Sequence, residues 1–159
     1  MYREFYFLIE AYIRTLTKKE VVYEIVMPLF VALAFPYIFN ITVNKDIIAS
    51  IINLMAIILG FVVATITILL TSGDNNLKLS KEFRLDKKVF GKDITLFRQL
   101  LILFFYIAFV AMIELIVSIL TIYFGLYGKI STAINLFLIF HLILLSIRNL
   151  TNLFFIEFR

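Results

Sequence analysis

The stretch that decides the fold is residues 100–124, LLILFFYIAFVAMIELIVSILTIYF, in which Glu114 is the sole formal charge among 25 residues. At 1.5 Å per residue a helix of this length reaches about 37 Å, more than the roughly 30 Å hydrocarbon core of a bilayer. A carboxylate near the middle of such a helix is costly in lipid, so Glu114 is a candidate functional or helix-pairing group.

Composition extends that expectation to the whole chain. The 159 residues are 63% hydrophobic and 16% charged, with a mean hydropathy of +1.04, whereas soluble domains carry about a quarter of their residues as charges. The absence of cysteine excludes disulfides, thiol redox chemistry and thiolate metal sites. A single histidine argues against a zinc or haem site built by the protein, and no cofactor is expected. The sequence predicts an all-α, polytopic membrane protein with four transmembrane helices and an N-terminal amphipathic helix, self-associating in the bilayer.

Outward from the opening stretch, the apolar runs predict spans over residues 21–39, 47–70, 100–124 and 130–152, making residues 21–159 one transmembrane domain. Residues 1–20 place Phe5, Leu8, Ile9, Tyr12, Ile13 and Leu16 at spacings of three and four, the stripe of an amphipathic helix. That helix either lies in the lipid interface or packs on the protein's own polar segment. Charges interrupt its apolar positions and no small-residue cleavage site follows, so it is not read as a signal peptide. The first span carries Glu24, Pro28 and Pro36. Glu24, near the basic end, is expected to lie at the interface or to pair with a cation rather than carry protons.

The second span holds no formal charge in 24 residues. Its Gly60 and Ala64 form a small-xxx-small pair, and Asn53, Thr65 and Thr67 add polar groups, as in a close-contact face within the bundle or between subunits, or a pore lining. Residues 72–99 form the one long polar loop. Its Lys78, Lys81, Arg84, Lys87, Lys88 and Lys92 would meet anionic lipid headgroups or a protein partner, at about 1 kcal/mol per basic residue near the membrane surface. Its Leu77, Leu79, Phe83, Leu85, Val89 and Phe90 predict that the loop is folded or docked. No direct nucleic-acid role is expected, because basic residues on one side are what topology alone demands.

Topology follows from where Lys and Arg fall. Residues 1–20 hold four, residues 72–99 hold seven, and Arg148 and Arg159 end the fourth span, against Lys45 and Lys129 alone in their loops. A bias of thirteen to two predicts both termini and the long loop in the cytoplasm, with the protein multi-pass in the inner (plasma) membrane.

Depth then suggests a pair. Glu114 lies ten residues before Phe124 and His141 eleven after Ile130, about 15 and 16 Å from the same outer end. Glu114 and His141 are therefore expected to meet, directly or through water. Ser118 and Thr121 continue the face of Glu114. His141, Arg148, Asn152 and Arg159 fall within about 40° of one face at 100° per residue, a polar stripe toward the basic side. Such a pair can fix helix register, line a water-filled pathway in an oligomer, or carry a proton.

Motifs for metalloprotease, P-loop or serine-hydrolase chemistry are absent from the sequence, and no enzymatic activity is expected. Four spans with one mid-membrane glutamate resemble the small multidrug-resistance transporters, which however carry the glutamate in the first span and contain tryptophan. Residues 58–76, ILGFVVATITILLTSGDNN, a small-residue span running into a charged segment, resemble the second span of small four-helix membrane proteins of prokaryotic antiviral operons, the Kiwa membrane component type. That resemblance implies a homo-oligomeric membrane partner of a cytoplasmic sensor or effector. The functions in view are an oligomeric membrane component that forms a pore or anchors a partner, a proton- or ion-coupled transporter using Glu114, and a holin-like lysis protein.

Overall fold

The computed structural model describes residues 2–72 and 75–157. The chain runs through α1 (Tyr2–Thr15), a helix interrupted by one π turn, α2 (Lys18–Ile38), then α3 (Lys45–Thr71), α4 (Asn75–Glu82), strands β1 (Arg84–Val89) and β2 (Lys92–Thr95), α5 (Leu96–Phe124) and α6 (Lys129–Glu157). The helices α2, α3, α5 and most of α6 are long and apolar enough to cross a membrane.

Three of the helices, α2, α3 and α5, start where a capping side chain stands. Thr17, Asn44 and Thr95 accept backbone N–H groups of Glu20, Ile47 and Arg98, satisfying donors that have no partner within a first helical turn. The Thr17 and Glu20 side chains form a reciprocal capping box, so the chain breaks between α1 and α2 rather than continuing as one helix. At the other end of α5, Gly125 adopts φ +64°, the left-handed conformation that a C-terminal cap requires and glycine meets without a Cβ penalty. Leu126 N–H then returns to the Thr121 carbonyl at 2.9 Å.

Helices α3 and α6 both pack on α5, and α2 packs on α6, giving the order α3–α5–α6–α2. The core is a seam of α5 residues Leu100, Leu103, Phe104, Ile107 and Val110 against Ile48, Ile51, Met55, Val62 and Ile66 of α3. These positions recur at three and four residues, the stripe a helix needs to bury one face. The remaining faces are also apolar: Phe30 is 72% exposed, Ile57 70% and Tyr123 80%. Water would not tolerate so large an apolar coat on a soluble monomer; a bilayer would.

Two features depart from the all-helical loop-and-span pattern. Residues 84–95 form an antiparallel hairpin turned by Phe90 and Gly91, at φ 52° and 74°, the paired positive angles that suit a tight hairpin turn. The register shifts between Leu85 and Lys88. Helix α1 packs on α5 and β1 rather than lying free in an interface. Tyr12 stacks on Tyr106 of α5 at 3.7 Å between ring centroids, Phe5 on Phe109 at 5.3 Å and Phe7 on Phe90 at 3.9 Å.

Candidate functional site

The densest polar cluster surrounds Glu24, and its origin is a proline. In an α-helix the carbonyl of Glu24 would accept the N–H of residue 28, but Pro28 has none. The helix answers with a π turn over Val22–Val26, a common device where the regular ladder is interrupted. The Glu24 carbonyl is instead met by His141 Nδ1 at 2.6 Å. A carbonyl only accepts, so Nδ1 carries the proton; the neutral ring then offers Nε2 as acceptor to the Tyr106 hydroxyl at 3.3 Å. Phe137 stacks on the same imidazole, ring centroids 5.7 Å apart.

The Glu24 side chain is clasped from three elements. Arg148 Nη1 of α6 lies 3.2 Å from both carboxylate oxygens, and the Tyr12 hydroxyl of α1 donates to Oε2 at 2.8 Å. Arg148 Nη2 reaches the Thr15 carbonyl at 3.1 Å and Glu20 at 3.3 Å. Lys87 Nζ closes the cluster on Thr15 O at 2.8 Å and Glu20 at 3.4 Å. Burial, followed by the Glu24 charge, pushes the Tyr12 hydroxyl well above the ordinary tyrosine range, so it stays a donor at every physiological pH. The Thr15 carbonyl, at the C-terminal end of α1, thus accepts from two cations, the sign of charge that stabilises that end of a helix dipole.

This geometry corrects the expected Glu114–His141 pair. His141 is taken by Glu24 and Tyr106, and Glu114 by Ser118, whose hydroxyl lies 3.4 Å from Oε1. The physical reason is register. Ser118 faces Asn135 at 3.1 Å and Thr121 faces Ser131 at 3.1 Å, so the residue level with Glu114 on α6 falls two to three positions before His141. Six residues separate Asn135 from His141, about 240° of rotation at 100° per residue; the two side chains serve different faces. Glu114 is fully buried, and its Oε2 has no hydrogen-bond partner among the described residues. Ser118 and Thr121 are buried in the α5–α6 seam as helix-pairing groups, with Thr121 also on the wall of a cavity of about 670 Å³ at the α5–α6 turn.

Other expected site residues separate similarly. Of the α6 stripe, His141 and Arg148 converge on Glu24, Asn152 is half-buried, and Arg159 lies outside the described residues. Gly60 and Ala64 are exposed and Gly60 has nothing within 4 Å of where a Cβ would sit, so this small pair is not a contact within the bundle. Asn53 and Thr67 are exposed on the same helix, and Thr65 and Thr67 return their hydroxyls to the carbonyls of Phe61 and Val63. Lys78, Lys81, Arg84, Lys88 and Lys92 stand exposed, whereas Lys87 is turned inward to Glu20 and Thr15, because the alternation of β1 puts it on the inner face with Leu85 and Val89. Glu20, Tyr106 and Asn135 carry no signal in the sequence that marks them for a site, and Tyr12 reads there only as part of the apolar stripe of residues 1–20. The same absence of signal holds for Asn149, 1% exposed, whose two amide atoms have no hydrogen-bond partner among the described residues, on the wall of a cavity of about 290 Å³ between α3, α5 and α6.

No protein-family model matches the chain, and no curated protein or solved structure matches it. Among the described residues no cluster of histidine, aspartate and glutamate is arranged to hold a metal ion.

Proposed function

We propose that the chain is a self-associating, four-span component of the inner (plasma) membrane that anchors a cytoplasmic protein partner. The thirteen-to-two distribution of Lys and Arg supports both termini, α4 and the β-hairpin facing the cytoplasm, where they would form the docking face. Prokaryotic antiviral defence is the setting implied by the resemblance of residues 58–76, and a phage-challenge assay with and without the gene tests it.

The observation that carries the proposal is the outward face of α3. Ser50, Asn53, Gly60, Ala64, Thr67 and Thr71 are all exposed and fall within about 100° of one another around the helix. Asn53 stands eight residues, about 12 Å, inside the start of α3 and makes no hydrogen bond among the described residues. An amide facing lipid at that depth is unfavourable, and small residues beside it let another helix approach closely. A second copy of α3 supplies both the amide partner and the contact. Anchoring is favoured over conduction because Glu114 and Ser118 are fully buried in the α5–α6 seam and Glu24 is engaged by Arg148 and Tyr12.

Single cysteines in this cysteine-free chain test the interface. Ala64→Cys is expected to cross-link on oxidation in membranes, and Leu54→Cys, exposed about 80° away around α3, to remain monomeric. Equal cross-linking at both positions, or at neither, contradicts the proposal. One observation favours a second reading, a proton-coupled transporter: the unpartnered Oε2 of Glu114. In liposomes that reading requires solute movement driven by a pH gradient and abolished by Glu114→Gln. A holin-like lysis role would instead show as abrupt lysis on expression.

A further inference from the structure

Two cavities meet at the free edge of β2, and their linings are chemically opposite. One, about 630 Å³, is a basic cup whose cations are Lys81, Arg84, Lys88, Lys92 and Arg98. The other, about 560 Å³, is an apolar groove between α1, the hairpin and α5, lined by Leu8, Ala11, Phe90, Leu101 and Phe105 among others. Lys92, Asp93 and Arg98 border both. Asp93 is the one carboxylate on the cup wall and is met by Arg84 at 3.7 Å and Lys88 at 4.0 Å. Lys92 and Arg98 make no ion pair among the described residues; the carboxylates that share the two linings are Asp93 and, on the groove side, Glu4, against five cations. The N-terminal end of α5 adds the positive pole of a 29-residue helix at the same point.

Resting on the membrane assignment proposed above, we propose that this paired cavity binds one anionic phospholipid, with its phosphate held between Lys92 and Arg98, its headgroup in the cup and an acyl chain in the groove between α1 and α5. A free phosphate explains the cup but leaves the groove empty; a fatty chain alone explains the groove but not the cations. Only an amphiphile with a phosphate at one end fills both. The site also lies at the basic end of a span, the level at which headgroups reside. It differs from diffuse attraction to the inner leaflet because it assigns the binding to two of the exposed cations and to an apolar neighbour.

The test uses the full chain solubilised in mild detergent, with native mass spectrometry reading retained lipid. Phosphatidylglycerol, phosphatidylcholine, glycerol 3-phosphate and inorganic phosphate are each titrated. Expected is one phosphatidylglycerol per chain, weaker retention of phosphatidylcholine and none of the two soluble phosphates. The pair Lys92→Ala/Arg98→Ala is expected to weaken retention by roughly tenfold or more. Leu101→Trp, which fills the groove without touching the cup, is expected to do the same, with unchanged thermal unfolding as the control for folding. The pair Lys19→Ala/Lys78→Ala removes as much charge from exposed positions outside both cavities and is expected to have no such effect. The proposal is overturned by equal losses in the two lysine and arginine pairs, by full retention in Leu101→Trp, or by glycerol 3-phosphate binding as tightly as the lipid. Membrane residence is read separately, by resistance to alkaline carbonate extraction. Release into the carbonate wash overturns the membrane assignment and this site with it; an integral chain that retains no lipid overturns this site alone.

Discussion

Arg148→Met is the most demanding perturbation of the Glu24 cluster. Arg148 and Glu24 side chains are 10% and 6% exposed, with Nη1 3.2 Å from Oε2. At an effective dielectric of about 20 their attraction is about 5 kcal/mol, and removing one partner of such a buried pair costs about 3–5 kcal/mol because the other charge is stranded. The loss is asymmetric. Without Arg148, Glu24 keeps the Tyr12 hydroxyl alone, whereas without the Glu24 charge Arg148 still reaches Glu20 and the Thr15 carbonyl. Arg148→Met should therefore lower the melting temperature in detergent by about 6–20 °C, taking 2–4 °C per kcal/mol for a chain of this length. Glu24→Gln should cost clearly less, and the double variant should recover most of the loss of Arg148→Met. Scanning calorimetry or dye-based unfolding of the three proteins reads the cycle. Glu24→Gln as damaging as Arg148→Met, or a double variant no better than Arg148→Met alone, would refute the stranded-charge account.

Further outcomes follow from single contacts. His141→Phe leaves the Glu24 carbonyl without its donor and should cost about 1–3 kcal/mol; in a Pro28→Ala background, where residue 28 regains an N–H for that carbonyl, the same change should cost less, as thermal unfolding of the four-member cycle would show. Glu114→Gln removes a buried ionisable group with an unpartnered oxygen, so the melting temperature should hold or rise; a loss beyond about 1 kcal/mol contradicts the absence of a partner. Asn53→Leu should shift the native mass toward the single chain while leaving helical content by circular dichroism unchanged, since Asn53 makes no hydrogen bond among the described residues.

The helical spans were legible because apolar length is a coarse signal: residues 100–124 needed only a charge count, and the helix found there extends four residues further, to Leu96. Residue type leaves both Asp93 and Thr95 able to cap α5, and Thr95 is the one that accepts the Arg98 N–H. The hairpin was harder, because its alternation runs through Arg84, Asp86, Lys87 and Lys88, which read equally as a charged surface loop. The candidate site failed at register. Counting residues from a turn places depth to within a helical turn, whereas a hydrogen bond also needs the right face, and Glu114 and His141 miss on face. The missed signal was Pro28, four residues after Glu24. A helix proline orphans the carbonyl one turn before it, and a histidine or tyrosine on a neighbouring helix is a natural donor. Tyr12 and Tyr106 could not be foreseen, because nothing local tells an interfacial tyrosine from one stacked on a span.

The central claim is that α3 turns its Asn53, Gly60 and Ala64 face to a second copy of the chain. Native mass spectrometry of the detergent-solubilised protein tests it most directly. The account predicts a species of at least twice the 18.5 kDa chain mass, reduced toward the monomer by Asn53→Leu. A protein that remains a single 18.5 kDa chain at every concentration and in mild detergent would contradict it.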